Sequence, residues 1–227
     1  VLVRFQVYFA LLICIGMALP VVADTQRYPY YVGVGVFATK MDLLPERDMR
    51  SRLSIFIEQE DRNAEFQGED TLVWDDAGDG HKIYFGVAAS DDWDWEAGYI
   101  DFGDSTATLK ARVTNASFTI ANVTTSAKAE GWFGNVQYSP RIYENLDATI
   151  KFGYMRWDGS KNSYYTAEDD PVTPRRQQIT ISGIDEFFGL GLTYELTERW
   201  VIRADLDRYA LGEDEIDIFG LSAQLWF

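Results

Sequence analysis

Through eight stretches of this chain, apolar side chains return at every second position, with glycine or polar residues in the places between. Successive side chains of a strand point to opposite faces, so this alternation predicts strands that each carry one apolar face. The stretches are 30–39, 82–89, 93–102, 128–138, 146–157, 185–195, 200–209 and 217–227. Val32, Val34, Val36 and Ala38 form the apolar row of the first, and Ile83, Phe85 and Val87 that of the second. Aromatic residues mark the same face elsewhere, namely Trp93, Trp95, Tyr99, Trp132, Tyr138, Phe152, Tyr154, Phe188, Tyr194, Trp200, Phe219 and Phe227. The final stretch is the clearest: Phe219, Leu221, Ala223, Leu225 and Phe227 make an unbroken row that runs to the last residue.

The opposite face is small and polar. It carries Gly33, Gly35, Gly86, Gly98, Gly153, Gly189, Gly191 and Gly220, then Thr193 and Gln224. It also carries Glu96, Gln137, Lys151, Arg203, Asp205 and Asp207, which are expected to form an interior polar network with a structural or gating role. A soluble sandwich or ligand-binding barrel points its apolar face inward, whereas a barrel in lipid points it outward. Polar residues facing a narrow lumen, with glycines making room for the charged ones, predict the second arrangement. The expected fold is therefore all-β, an eight-stranded antiparallel up-and-down transmembrane β-barrel. Connection lengths agree: those near Asp91, Pro140 and Thr197 are short, while 40–80, 103–126 and 158–183 are expected as long external loops. Membrane barrels alternate short turns at one rim with long loops at the other.

The amino terminus adds a destination. Arg4, an apolar core from Val7 to Leu19, Pro20 and then Val21-Val22-Ala23 predict a signal peptide over 1–23, which leaves 24–227 as the barrel domain. Cleavage there would remove Cys14, the only cysteine, so no disulfide is expected in the mature chain. A net charge of −16 argues against nucleic acid, which needs a basic footprint. The 15% aromatic content and mean hydropathy of −0.19 fit a membrane barrel, whose two faces average out, and fit a soluble sandwich equally well.

Several motifs strengthen the barrel. The run from Trp95 to Gly103 resembles the third-strand motif of the outer membrane protein A type transmembrane domain, and the run from Phe152 to Asp158 is similar to its fifth. Phe187 to Tyr194, followed by Trp200 to Tyr209, resembles its sixth and seventh strands. The resemblance implies a barrel in the outer membrane of a Gram-negative bacterium, one that stabilises the membrane and presents surface loops. It also implies contact with outer-membrane lipid and lipopolysaccharide, and handling by the barrel-assembly machinery through the strand ending at Phe227. Glu96 and Arg203 match interior charged positions of that family. Thr193 stands where a family glutamate is common and Gln137 where a lysine is, so this chain departs from the family's gate. The family's peptidoglycan-binding domain has no counterpart after Phe227, and a stand-alone barrel is expected. A non-enzymatic structural and surface-exposed role follows, with a narrow low-conductance pore as the alternative.

Other chemistry is sparse. His81 is the only histidine, so an enzyme reading, a lipid-modifying barrel, would depend on it without a serine close in sequence. Asp75-Asp76-Ala77-Gly78-Asp79-Gly80 has the oxygen density of a calcium loop but lacks the twelve-residue spacing and closing glutamate. Loose binding of divalent cations by acidic loops, with no cofactor, is the expectation. Within 51–74, Leu53, Ile55 and Ile57 alternate and 71–74 is strand-like, which predicts a hairpin above the first two strands or else two further staves, making ten.

Overall fold

The computed structural model describes residues 28–41, 46–60, 65–75, 77–114, 120–168, 175–212 and 214–227. The expected signal segment 1–23 lies outside them. Ten strands and one helix follow in chain order. They are β1 (Tyr30–Met41), α1 (Glu46–Glu60), β2 (Glu65–Asp75), β3 (Ala77–Ala88), β4 (Trp93–Thr114) and β5 (Ile120–Tyr138). Then come β6 (Arg141–Tyr143), β7 (Leu146–Glu168), β8 (Arg175–Glu195), β9 (Trp200–Leu211) and β10 (Asp214–Trp226).

Eight of these strands close a ring, in the order β1, β3, β4, β5, β7, β8, β9, β10, every pair antiparallel. The seam is the first strand on the last. Tyr31 lies opposite Trp226 and Met41 opposite Ile216, and Phe227 N donates to Tyr30 O at 2.8 Å. Closure satisfies the backbone groups that an edge strand would leave bare, which is what a hydrocarbon environment demands. The short turns and both ends of the barrel share one rim, here called the turn end; the opposite rim is the tall end.

The staves differ in height. β4, β5, β7 and β8 run for 22, 19, 23 and 21 residues, against 12, 12 and 13 for β1, β9 and β10. β3 is lengthened by β2, which pairs with the upper part of β4, from Thr106 to Thr114, directly above the part that β3 occupies. The two register as one long stave, and between their pairings β4 carries a bulge from Asp101 to Asp104. Gly103 at φ +77° forms that bulge, its N–H held by Asp101 Oδ1 at 2.9 Å, and a Cβ there would lie 2.5 Å from Asp79 O. The five tall staves stand side by side, so a concave wall rises above a low rim formed by β9, β10 and β1.

Three expectations need correction. Residues 103–114, 120–126, 158–168 and 175–183 are strand and not loop. The segment read as a calcium-like loop is strand from Ala77 onward, with Gly78 and Gly80 packed into the interior against Thr39 and Phe37. Finally, 51–60 is the last two thirds of a helix, so neither a hairpin nor a ten-stranded ring forms. Leu53, Phe56 and Ile57, at helical spacing i, i+3 and i+4, are buried, while Ile55 is half exposed. They pack on Ala107, Leu109, Ala111, Ala121, Val123 and Tyr165 inside the concave wall.

Candidate functional site

The barrel interior is filled in layers, and the central one is ionic. Lys82 from β3, Glu96 from β4, Lys151 from β7, and Arg203, Asp205 and Asp207 from β9 are all buried, three positive charges facing three negative. Arg203 reaches across the lumen, Nη1 to Glu96 Oε2 at 2.8 Å, while its Nε donates to Asp205 Oδ2 at 3.1 Å. Lys151 Nζ lies 2.8 Å from both Asp205 Oδ1 and Asp207 Oδ1, and Lys82 Nζ 2.9 Å from Asp205 Oδ2. Gln137 accepts from Arg203 Nη1 at 3.1 Å and donates to Glu96 and to the Tyr31 hydroxyl. Burying charges costs several kcal/mol per ion unless geometry and hydrogen bonds compensate, and here each ion meets at least one opposite charge.

Glycines decide how these side chains reach one another. Lys151, Gly189 and Asp207 form one row across β7, β8 and β9, and a Cβ at Gly189 would collide with Asp207 Oδ1. The lysine therefore crosses over the glycine to its carboxylate. The same device places Tyr31 over Gly86 toward Glu96, where the hydroxyl donates at 3.3 Å. It also places Tyr84 over Gly33 toward β10, where its hydroxyl donates to Ser222 Oγ at 2.9 Å and accepts from Gln224 at 3.3 Å. The Tyr84 ring in turn lies under the Arg203 guanidinium, 4.9 Å from its centroid.

All six residues read from the sequence as an interior network are brought together, within one contiguous cluster. Lys82, Tyr31, Tyr84, Asn135 and Ser222 were not singled out. Lys82 shares the inner phase with Tyr84 and Gly86, so phase alone was signal enough. Above the ions sits a layer the sequence reading did not foresee, since it described the inner face as small and polar. Phe37, Phe102, Phe133, Met155, Phe187 and Tyr209 are buried there, with Phe187 and Tyr209 stacked at 4.5 Å. Toward the turn end the lumen opens as a vestibule of about 330 Å³, lined among others by Asp91, Asp94, Asp147, Glu195, Arg141 and Arg203. Thr193 lines this vestibule too, and its hydroxyl meets that of Thr149 at 3.1 Å.

The outer wall is apolar over the lower barrel. Val34, Val36, Ile83, Ile150, Phe152, Tyr154, Phe188, Leu190, Leu206, Phe219 and Leu221 are each 52–68% exposed. Aromatic pairs mark it at two levels of β4 and β5. Trp93 meets Tyr138 at 4.9 Å, and Tyr99 meets Trp132 at 5.3 Å six residues further along β4, or about 20 Å of strand. Trp95, Tyr194, Trp200 and Phe227 lie on the same outer phase. His81 is exposed on this outer side of β3. A closed ring with an apolar belt and a charged interior defines the class: a transmembrane β-barrel.

No family model matches the sequence, and no curated protein matches it. Several solved structures are similar in shape. One is the attachment invasion locus protein Ail of Yersinia pestis, in complex with the heparin analogue sucrose octasulfate, at 12% identity, 88% of this chain, 99% of that one and TM-score 0.47. Neisserial surface protein A follows at 9% identity, 87% and 97% coverage and TM-score 0.46. The N-terminal β-barrel domain of Pseudomonas aeruginosa OprF has 16% identity, 87% and 97% coverage and TM-score 0.38. At these scores likeness carries no inference about activity.

Proposed function

We propose that this chain is an outer-membrane barrel of a Gram-negative bacterium with a structural and surface-presenting role, non-enzymatic, its turn end in the periplasm. The reading is carried by one observation: six buried charges, balanced in sign, bridge the lumen between β3, β4, β7 and β9. An open pore needs a continuous aqueous path, and the ionic layer together with the aromatic layer above it supports a filled lumen instead. The apolar belt supports contact with lipid and lipopolysaccharide, and the seam strand ending at Phe227 suits recognition by assembly machinery. Loose binding of divalent cations by the acidic loops of the outward end belongs to the same reading.

Planar-bilayer recording on the purified, folded protein tests this. Membranes that stay silent at applied voltage are expected, and reproducible single-channel steps would favour the pore instead. The vestibule at the turn end, which reaches Arg203, is the feature such a pore would use. An enzymatic role through His81 would be revealed by altered lipid chemistry on expression, and none is expected.

A further inference from the structure

A second cavity, far from the ionic layer, lies between α1 and the tall ends of β7 and β8. It encloses about 440 Å³ and is lined by Arg52, Ile55, Phe56, Gln59, Tyr165, Arg175, Arg176 and Gln177. Two guanidinium groups, of Arg52 and Arg175, and two primary amides, of Gln59 and Gln177, thus converge where the described lining residues include no carboxylate, in a chain of net charge −16. The floor is aromatic: Phe56 and Tyr165 are buried and stacked at 5.3 Å. Arg175 lies 5.9 Å from the Phe56 ring centroid and donates through Nη1 to Gln59 Oε1 at 2.9 Å, tying the end of α1 to the tip of β8. Arg52 on the helix and Arg175 on the strand face this groove from its two sides, whereas Arg176, opposite the exposed Tyr164, lies on the outer phase at its rim.

From this arrangement we infer that the groove binds a short saccharide bearing oxyanion groups, phosphate or sulfate. Guanidinium forks grip such groups with two parallel hydrogen bonds, amides serve hydroxyls, and an aromatic floor suits the apolar face of a sugar ring. The surrounding negative charge repels an extended polyanion, so the ligand is compact, with its charge gathered inside the groove. Such saccharides have two sources: the phosphorylated core sugars of lipopolysaccharide in the same leaflet, or a sulfated glycan from outside. The inference rests on the proposed function only in taking the tall end as outward. Binding to the purified protein is measured apart from conductance, so either can fail alone.

The test is calorimetric titration of the folded protein in detergent with a phosphorylated core oligosaccharide, with the same oligosaccharide after dephosphorylation, and with a sulfated disaccharide. Saturable binding of one charged probe, lost on dephosphorylation or absent from neutral sugar, is expected. Preference for the phosphorylated probe assigns the lipopolysaccharide source, and preference for the sulfated one the external source. The double variant Arg52→Gln, Arg175→Gln is expected to bind at least about tenfold more weakly, since each charged hydrogen bond contributes that order. Arg52→Lys, which keeps the charge but not the fork, should fall between. Heat-modifiable gel mobility verifies that each variant is folded. Absence of saturable binding by both charged probes, or unchanged binding in the folded double variant, would overturn the inference.

Discussion

The same strands obey opposite rules in their lower and upper halves. On lower β5 the outer phase holds Trp132, Val136 and Tyr138, while Asn135 and Gln137 face in. On upper β5 the outer phase holds Thr124, Ser126 and Lys128, and the inner phase Ala121, Val123, Ala127 and Ala129. β4 changes in the same way, from Trp95 and Tyr99 outside to Thr106, Thr108 and Lys110 outside, with Ala107, Leu109 and Ala111 inside. On β5 the inner and outer phases do not slip, and on β4 they shift by the one residue of the bulge at Gly103; on both strands the polarity assigned to the two faces reverses. The solvent explains this. Where lipid surrounds the wall, apolar residues must face out, and where water surrounds it, they must turn inward and be covered. Helix α1 is that cover. The molecule is an inside-out barrel carrying a small sheet-and-helix layer of conventional polarity on its tall side.

The contrast can be broken most severely from below. Arg203→Met removes the cation between Glu96 and Asp205 and leaves the buried Glu96 carboxylate without its ion-pair partner, while Asp205 keeps Lys82 and Lys151, which costs about 3–5 kcal/mol. Urea titration of the barrel refolded in vesicles should show the whole ring destabilised. Leu53→Ala, by contrast, empties a fully buried site under α1 and costs about 3 kcal/mol, confined to the upper layer. Limited proteolysis should then cut near the helix while the heat-modifiable mobility of the ring persists.

A charged probe on the outer wall sharpens the comparison further. Leu206→Arg puts a cation on the lipid face and should cost about 2–3 kcal/mol, whereas Thr124→Arg, on the same phase but higher, should cost close to nothing. A smaller loss than that of Leu206→Arg is expected from Gly86→Ala. Its Cβ would collide with the Tyr31 ring, forcing the tyrosine off Glu96 for about 1–2 kcal/mol, read from the same urea titration.

The lower half was legible in the sequence because alternation of Val32, Val34 and Val36, or of Phe219, Leu221 and Leu225, is the direct signature of a one-faced strand. The ring of eight followed from counting such rows. The upper half was misread because its outer phase is Thr, Ser and Lys, and a search for outward apolar rows passes over it as loop. Yet Ala107, Leu109 and Ala111 alternate too, in the inner phase. The helix was obscured by Leu53, Ile55 and Ile57, which fit a strand as well as a helix. Pro45 followed by Glu46 and Asp48 was the available helix-start signal. In the interior, the charged residues could be assigned to a face but not to partners, since pairing depends on register. Which tyrosine passes over which glycine is fixed only once β1, β3 and β4 are aligned.

The reversal of polarity along one wall is open to direct measurement. Single cysteines placed on the outer phase low on the wall, as Val136→Cys and Leu206→Cys, and high on it, as Thr124→Cys and Ser182→Cys, can carry a fluorophore in vesicles containing lipid-tethered quenchers. Strong quenching at the low pair and weak quenching at the high pair is the expected result. Equal quenching at all four positions would contradict a wall that leaves the bilayer partway along its strands.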